Sequence, residues 1–170
     1  MLALLLSWSL AGQLAGVHFP DTVSVGGKAL QLNGLGLREK YFIDVYVGAL
    51  YLPAKTGSAS QAIQGDVPKR IEMHFIYEQV TAEQLNETWD EGFAKAGTTQ
   101  GLAQLKGMMR NVKSGDRIVL EYVPGAGTTV TVAGQGMGTI AGIEFMKALW
   151  TVYLGSSPPT EKLKKGMLGG

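Results

Sequence analysis

The sequence predicts an α+β fold in which a large antiparallel sheet carries a helical layer on one face. The order of strand and helix signals along the chain predicts it. Segments with strand periodicity come first, two helical segments follow, and two further strands precede a last helical region. Strands and helices therefore do not alternate one by one, as they would in a parallel βαβ fold. The 170 residues are enough for one domain with a sizeable core.

The first strands are segments 22–25 and 29–32, which flank a glycine pair typical of a two-residue hairpin turn. The strongest strand signal follows, from Tyr41 to Leu52, with apolar side chains at both alternating sets of positions. A strand that is apolar on both faces is covered on both sides. We therefore expect a central strand, which ends at Pro53 because proline cannot donate to the ladder.

The strongest helix signal begins at Thr81, which forms a Thr-x-x-Gln capping box with Gln84. Apolar residues then recur at spacings of three or four as far as Gly97, a typical helix end. The other predicted elements are a strand over 70–77, a second helix from 98 or 99 to 112, strands over 116–123 and 128–133, a third helix over 140–154 and a short amphipathic tail over 160–168.

The first 16 residues, MLALLLSWSLAGQLAG, are rich in leucine and end in small residues. Ser9 and Ala11 place small side chains at the two positions that a signal peptidase reads. The apolar stretch is shorter than the roughly 20 residues of a membrane-spanning helix. We therefore expect a signal peptide over residues 1–16, a single domain over residues 17–170, and a periplasmic or secreted protein. The alternatives are an uncleaved N-terminal anchor, as the one contact with a membrane, and a buried first element.

Composition excludes several classes of protein. The 15 basic and 14 acidic residues give a net charge of +1, which provides no electrostatic footprint for nucleic acid or an anionic membrane. The absence of cysteine excludes disulfide scaffolds, Fe–S clusters and thiol nucleophiles. His18 and His74 lack the spacing of metal ligands. We therefore expect no metal and no cofactor.

Residues 136–141, GMGTIA, match the G-x-G-x-x-A pattern of a dinucleotide-binding turn between a strand and a helix. A Rossmann unit needs a second parallel strand after that helix, and the chain continues instead into Ser-Ser-Pro-Pro. The segment is therefore interpreted as a tight strand-to-helix turn.

Arg38 lies next to the strand that is apolar on both faces, and its charge needs an explanation. Its guanidinium can reach solvent, pair with an acid, or face a ligand. Glu39 is no partner, because neighbours on a strand point to opposite faces. One hypothesis is a structural ion pair. The other is an anchor for a carboxylate at the mouth of an apolar cavity, since guanidinium donates two parallel hydrogen bonds to that group.

The run GLGLREK over residues 34–40, followed by VYVGALYL over residues 45–52, resembles the signature of the chalcone isomerase-like family, especially its secreted bacterial members. The likeness extends from His18 to Gly169. It implies an open-faced β-sandwich with a ligand cleft between the sheet and the helices. The family includes plant isomerases that close the C ring of a chalcone, and non-catalytic relatives that bind fatty acids through an arginine and a tyrosine.

The resemblance places the family arginine on Arg38. The catalytic threonine falls on Tyr46, as in the fatty-acid-binding members. The catalytic tyrosine falls near Leu85, its asparagine near Gly92, and a further active-site hydroxyl near Met146. The loss of these polar groups favours binding without isomerisation.

The resemblance thus implies non-catalytic binding of an apolar carboxylate, a fatty acid. The ligand-binding residues that we predict are Arg38, Tyr46, Tyr51, Phe42, Leu85, Trp89 and Met146. One alternative is an isomerase or lyase acting on a phenolic or enone substrate, in which Arg38 stabilises an oxyanion. Another is an envelope protein with a vestigial cleft, whose partner is a second protein.

A shared head group for Arg38 and Tyr46 requires a turn between them. Eight residues of straight strand span roughly 26 Å. The chain must therefore turn or bulge near Glu39 and Lys40, so that Arg38 lies on a neighbouring strand.

Overall fold

The structure is a computed structural model and describes residues 12–170. In chain order, its elements are β1 (Gln13–Leu14), β2 (Val17–His18), β3 (Thr22–Val25), β4 (Lys28–Lys40), β5 (Ile43–Leu52), α1 (Ala59–Gln64), β6 (Lys69–Phe75), β7 (Gln79–Val80), α2 (Ala82–Ala96), α3 (Leu102–Gly107), β8 (Val112–Lys113), β9 (Arg117–Val123), β10 (Gly127–Val132), β11 (Gln135–Ile140), α4 (Ile143–Leu154) and α5 (Glu161–Met167). Seven strands form one antiparallel sheet in the order β11-β10-β9-β6-β5-β4-β3.

The helices lie on one face of this sheet, as predicted. Helix α4 packs between β10 and the helices α1 and α2. Its buried side chains occur on almost every side of the helix, which is typical of a helix enclosed by other elements. The main core therefore has the sheet on one side and two layers of helices on the other.

A smaller core covers the opposite face of the sheet. Val47, Ala49 and Tyr51 of β5 pack there against Val17 and Phe19 of the N-terminal segment. The alternate residues of β5 enter the main core. The prediction that this strand is central and covered on both sides is confirmed.

Helix α2 follows its sequence signals closely. The Thr81 hydroxyl accepts a hydrogen bond from the backbone of Gln84, whose side chain accepts one from the backbone of Thr81. Gly97 ends the helix in the left-handed conformation with φ 76°. Leu85, Trp89 and Phe93 form the buried stripe, and these predictions are confirmed.

Two sequence predictions are wrong, and one helix was not predicted. The second helix ends at Gly107, and Val112 lies in β8, because the chain pairs with β7 on its way back to the sheet. Residues 136–141 were interpreted as a tight strand-to-helix turn. Residues 135–140 instead form the edge strand β11, because they pair with β10 despite their glycine content. The short helix α1 was not predicted. Its signal is the Ser58 side chain, which accepts a hydrogen bond from the backbone of Gln61.

The N-terminal prediction falls partly outside the structure. Residues 1–11 of the predicted signal peptide lie outside the described residues. The predicted boundary after Gly16 falls in the turn between β1 and β2, which pair with each other. A cleavage after Ala11 would leave this hairpin intact.

Candidate functional site

An apolar cleft opens between the sheet and the helical layer, with a volume of about 280 Å³. Val45 and Tyr46 of β5 and Met73 and Phe75 of β6 form its sheet wall. These side chains also belong to or pack against the main core, so the cleft is an opening in that core at one end of the sheet.

Arg38 and Tyr46 meet in this cleft because the chain turns between them. The strands β4 and β5 form a hairpin with Tyr41 and Phe42 as its turn, and Arg38 is the direct register partner of Tyr46. The predicted turn is confirmed, although it comes after Glu39 and Lys40 instead of within them. Directly paired residues on antiparallel strands lie on the same face, and both side chains line the cleft.

The Arg38 guanidinium is held by backbone carbonyls. Its Nη1 donates to the carbonyl of Glu39 at 2.7 Å and, at 3.5 Å, to that of Pro159. Among residues 12–170, no carboxylate forms an ion pair with it. Its Nε and Nη2 donate no hydrogen bond within the same residues. The side of the guanidinium formed by these two nitrogens is therefore available for a bidentate acceptor.

Two glycines in the segment GLGLR, residues 34–38, allow helix α5 to pack closely on β4 beside Arg38. A Cβ on Gly34 would lie 2.1 Å from the carbonyl oxygen of Gly166, and one on Gly36 would lie 2.3 Å from that of Leu163. Only glycine permits this contact between the backbones of strand and helix. The contact brings Pro159, just before the helix, to Arg38, which is two residues beyond Gly36 on the same strand.

Two tyrosines lie beside Arg38. Burial raises the pKa of Tyr46 well above its usual value, and the nearby Arg38 charge opposes that rise only in part. Burial likewise raises the pKa of Tyr153, with Tyr46 adding to the rise and Arg38 opposing it. Both phenols are therefore protonated at neutral pH and act as hydrogen-bond donors. The Tyr153 hydroxyl reaches the sulfur of Met73 at 3.1 Å, whereas the Tyr46 hydroxyl forms no hydrogen bond within residues 12–170.

The helical wall of the cleft includes Leu85 and Trp89 of α2 and Val152 and Tyr153 of α4. The Trp89 and Tyr153 rings pack edge to face with centroids 6.1 Å apart. The Trp89 indole Nε1 is buried and has no hydrogen-bond acceptor among the described residues.

Four of the predicted ligand-binding residues line the cleft, and three do not. Arg38, Tyr46, Leu85 and Trp89 line it. Phe42 does not, because it lies in the turn and is fully exposed. The Tyr51 side chain lies on the other face of the sheet, where its hydroxyl donates to the carbonyl of Pro20 at 2.8 Å. Met146 is fully buried in the main core away from the cleft. The placement of these three side chains in the cavity is wrong.

Tyr153 is the main cleft residue that was absent from the sequence prediction. It lies in the segment predicted only as a third helix, over residues 140–154. Its signal is the phenol hydroxyl, which brings a polar atom onto a helix whose neighbouring residues are almost all apolar. Gly92, where the family asparagine was expected, contacts α4 instead: a Cβ there would lie 2.7 Å from Val152.

The rim of the cleft is polar on the helix side and aromatic on the sheet side. Glu87 and Glu91 of α2 form the polar part, and Tyr41 and Tyr77 the aromatic part. Within residues 12–170, no group of three histidine, aspartate or glutamate side chains is placed to hold a metal ion. No helix in the same residues is long and apolar enough to cross a membrane.

Comparisons with known proteins agree with this architecture. The structure is similar to a crystal structure of a fatty-acid binding protein from Arabidopsis thaliana, with a TM-score of 0.71, 17% sequence identity, and coverage of 90% of this chain and 92% of that chain. A search among curated proteins found no match. A family model described as chalcone isomerase-like matches residues 11–169. The chain therefore belongs to the chalcone isomerase-like family.

Proposed function

We propose that this protein binds a fatty acid without chemical conversion, with its carboxylate held by Arg38 and its tail in the apolar cleft. One observation carries the proposal. Arg38 lines an apolar cleft, has no carboxylate partner within residues 12–170, and keeps one side of its guanidinium free of hydrogen bonds. A half-buried guanidinium is most stable when an anion neutralises it, and a carboxylate fits its paired donors.

The groups around Arg38 suit a carboxylate better than a neutral ligand. Tyr46 and Tyr153 are protonated at neutral pH, since the usual phenol pKa lies well above 7 and burial raises the pKa of each further. The Tyr46 hydroxyl can therefore donate a third hydrogen bond to an oxygen already held by Arg38. The arginine and tyrosine pair is also the head-group clamp that the family resemblance implies for fatty-acid binders.

The lining and size of the cleft fit an alkyl chain. Small-molecule sites are mostly apolar with a few polar groups, and their volumes run from roughly 300 to 1,000 Å³. The cleft, with a volume of about 280 Å³, lies just below the lower limit of this range. Met73 offers a flexible side chain that adapts to different tails. The similar protein from Arabidopsis thaliana is a fatty-acid binding protein, which supports the same class of ligand here.

The isomerase alternative finds little support beside Arg38. Cyclisation needs a group that accepts or delivers a proton near neutral pH. The neighbouring phenols have raised pKa values, so they stay protonated and supply no phenolate that could act as a base near neutral pH. The resemblance also places the family's catalytic positions at Tyr46 and near Leu85, Gly92 and Met146, which lack the catalytic groups.

The test compares a saturated fatty acid with the primary alcohol of the same chain length. Isothermal titration should give clear binding of the acid to the wild type and affinity for the alcohol weaker by about a hundredfold, since charge-assisted bidentate hydrogen bonds are lost. The Arg38→Ala variant should bind the acid as weakly as the alcohol. Equal affinities for acid and alcohol in the wild type would contradict the proposal.

Arg110→Ala is the matched control. Arg110 also donates from Nη1 to two backbone carbonyls, those of Gly107 and Met109, but it lies outside the cleft. This variant should bind the acid as the wild type does. Turnover of a chalcone above the uncatalysed rate would favour the isomerase alternative.

We also propose that the protein is exported, on the basis of its signal-like first residues. Intact mass measurement of protein from a periplasmic fraction tests this proposal. A mass that begins at Gly12 would support it and would preserve the β1–β2 hairpin. Recovery of the full-length chain from the cytoplasm alone would contradict it.

A further inference from the structure

The turn between β4 and β5 is unusual in both conformation and chemistry. Lys40 and Ile43 are register partners, so Tyr41 and Phe42 form a two-residue hairpin loop. Their φ angles are 51° and 65°. Positive φ at both positions is typical of a type I′ turn, in which asparagine and glycine are strongly preferred. A sequence chosen for folding alone would therefore not place two aromatic residues here.

The same turn carries the most exposed large apolar side chains of residues 12–170. Tyr41 is 84% exposed, Phe42 101% and Ile43 45%. Lys40 lies over the Tyr41 ring, with its Nζ 5.9 Å from the ring centroid. The tip of the hairpin, residues 40–43, thus combines two aromatic rings, an aliphatic side chain and a lysine on a convex protrusion.

The hairpin tip also adjoins the cleft. Lys40, Tyr41 and Ile43 line the mouth of the cleft, whereas Phe42 points away from it into solvent. A surface into which the hairpin tip inserted would therefore be continuous with the entrance to the apolar interior. This continuity matters because a fatty acid in water resides mainly in membranes and other apolar phases.

We propose that the hairpin tip inserts into the interfacial region of a lipid bilayer and opens the cleft directly onto it. Aromatic rings and snorkelling lysines are the side chains typical of that region. A protein partner is less well matched, because four side chains on a convex turn fall far short of the roughly 1,200 Å² that a stable protein interface buries. A role in ligand transfer rests on the proposed function, but insertion itself does not.

Charge has only a secondary part in this contact. The net charge of the chain is +1, so there is no general attraction to anionic lipid. Lys40 belongs to the hairpin tip, and Lys162 pairs with the adjacent Glu39, whereas the exposed Asp44 and the carboxylates of Glu87 and Glu91 at the cleft rim oppose these cations. We therefore expect binding to neutral phosphatidylcholine vesicles, strengthened only a few fold by phosphatidylglycerol.

The test is co-sedimentation of the full protein with vesicles of phosphatidylcholine alone and of an equal mixture with phosphatidylglycerol. Phe42→Gly is the key variant, because glycine suits the positive φ and Phe42 does not line the cleft. Its thermal stability should equal or exceed that of the wild type, while its partition onto vesicles falls by about tenfold through loss of the buried ring. Phe42→Trp should restore the partition.

Val67→Ser is the control for the loss of an exposed apolar side chain, because Val67 is 37% exposed and lies outside the cleft. It should bind vesicles as the wild type does. Wild-type protein that stays in solution with both lipids, or Phe42→Gly protein that sediments equally well, would overturn the proposal. So would a dimer in solution that Phe42→Gly abolishes, because the hairpin tip would then be a protein interface.

Binding of a soluble short-chain fatty acid, measured without vesicles, separates the two proposals. Phe42→Gly should leave that affinity unchanged, and Arg38→Ala should leave vesicle partition unchanged. Loss of acid binding alone would leave membrane insertion standing, and loss of vesicle binding alone would leave the ligand proposal standing.

Discussion

Arginines occupy both faces of the sheet, and their surroundings differ. On the face that carries the smaller core, Arg70 and Arg117 both pair with Glu72, at 2.8 Å and 2.9 Å. The Glu72 side chain is only 1% exposed. On the helical face, Arg38 has backbone carbonyls as its acceptors and no carboxylate among residues 12–170. The first arrangement supplies its own anion. The second has no internal anion among residues 12–170, and in our proposal a ligand supplies it, so that the same residue type is structural on one face and binds a ligand on the other.

The largest effect should come from removing the internal anion. Glu72→Gln keeps the shape of the side chain, but it leaves Arg117 without its carboxylate partner and leaves Arg70 with only Glu121, at 3.8 Å. Breaking a buried ion pair costs 3 to 5 kcal/mol, and we expect about 3 kcal/mol because Arg117 is 55% exposed and can turn to solvent. Urea denaturation measures the loss.

Fatty-acid affinity serves as the control for that variant. Glu72 lies on the face opposite the cleft, so the folded variant should bind the acid with unchanged affinity. A stability loss below about 0.5 kcal/mol would mean that the Glu72 cluster contributes no more than an ordinary surface pair.

Tyr46→Phe should weaken acid binding by about tenfold, because one hydrogen bond to a charged group is lost. Stability should not fall, since the Tyr46 hydroxyl forms no hydrogen bond within residues 12–170 and a phenylalanine ring fills the same space. Titration calorimetry and thermal denaturation measure the two quantities. Lower stability with unchanged affinity would exclude the hydroxyl from the head-group site.

A fully buried cation, Lys69, extends the comparison. It donates to the carbonyls of Ala62 and Ile63 at the end of α1, and burial lowers its pKa to about 8. In the unfolded chain its pKa is about 10.5. The unfolded state therefore binds more protons between these values, so the free energy of unfolding should rise with pH in that window.

We expect a rise of about 1 kcal/mol from about pH 7.5 to about pH 9. Above about pH 10 the trend should reverse, because the buried tyrosines, among them Tyr122 with its pKa raised to about 12, keep their protons only in the folded state. Lys69→Met should remove the rise. A wild-type profile that is flat over this window would mean that Lys69 titrates normally.

The smallest effect concerns the stability of Arg38→Ala. If Arg38 is reserved for a ligand, its removal should change the free energy of unfolding by less than about 0.5 kcal/mol without fatty acid. The acid itself should raise the melting temperature of the wild type but not of the variant. A large loss of stability in the variant would instead make Arg38 a structural residue like Arg70.

The β4–β5 hairpin shows which features of the fold the sequence could predict and which it could not. The two-sided apolar pattern predicted β5, and the distance between Arg38 and Tyr46 required a turn. The turn itself had no local signal, because tyrosine and phenylalanine are not turn residues. For that reason Phe42 was assigned to the cavity and is instead exposed. Gly34 and Gly36 are explained only by their contact with α5, which is distant in the sequence.

The residues of the cleft could likewise be predicted from the sequence only in part. Periodicity correctly assigned Leu85 and Trp89 to the inward face of α2, because a helix has a fixed repeat. Alternation along a strand puts Tyr46 and Tyr51 on opposite faces of β5, but it could not tell which face carries the cleft, since both faces are buried. Which face carries the cleft depends on where the helices pack, and that arises from contacts between distant segments.

The most direct test of fatty-acid binding through Arg38 is the position of the head group in a crystal structure of the complex with a fatty acid. We predict the carboxylate at hydrogen-bond distance from Nε and Nη2 of Arg38 and from the Tyr46 hydroxyl, with the tail between β5, β6 and α2. A tail in the cleft with the carboxylate in solvent, or a ligand bound elsewhere on the protein, would contradict the central claim.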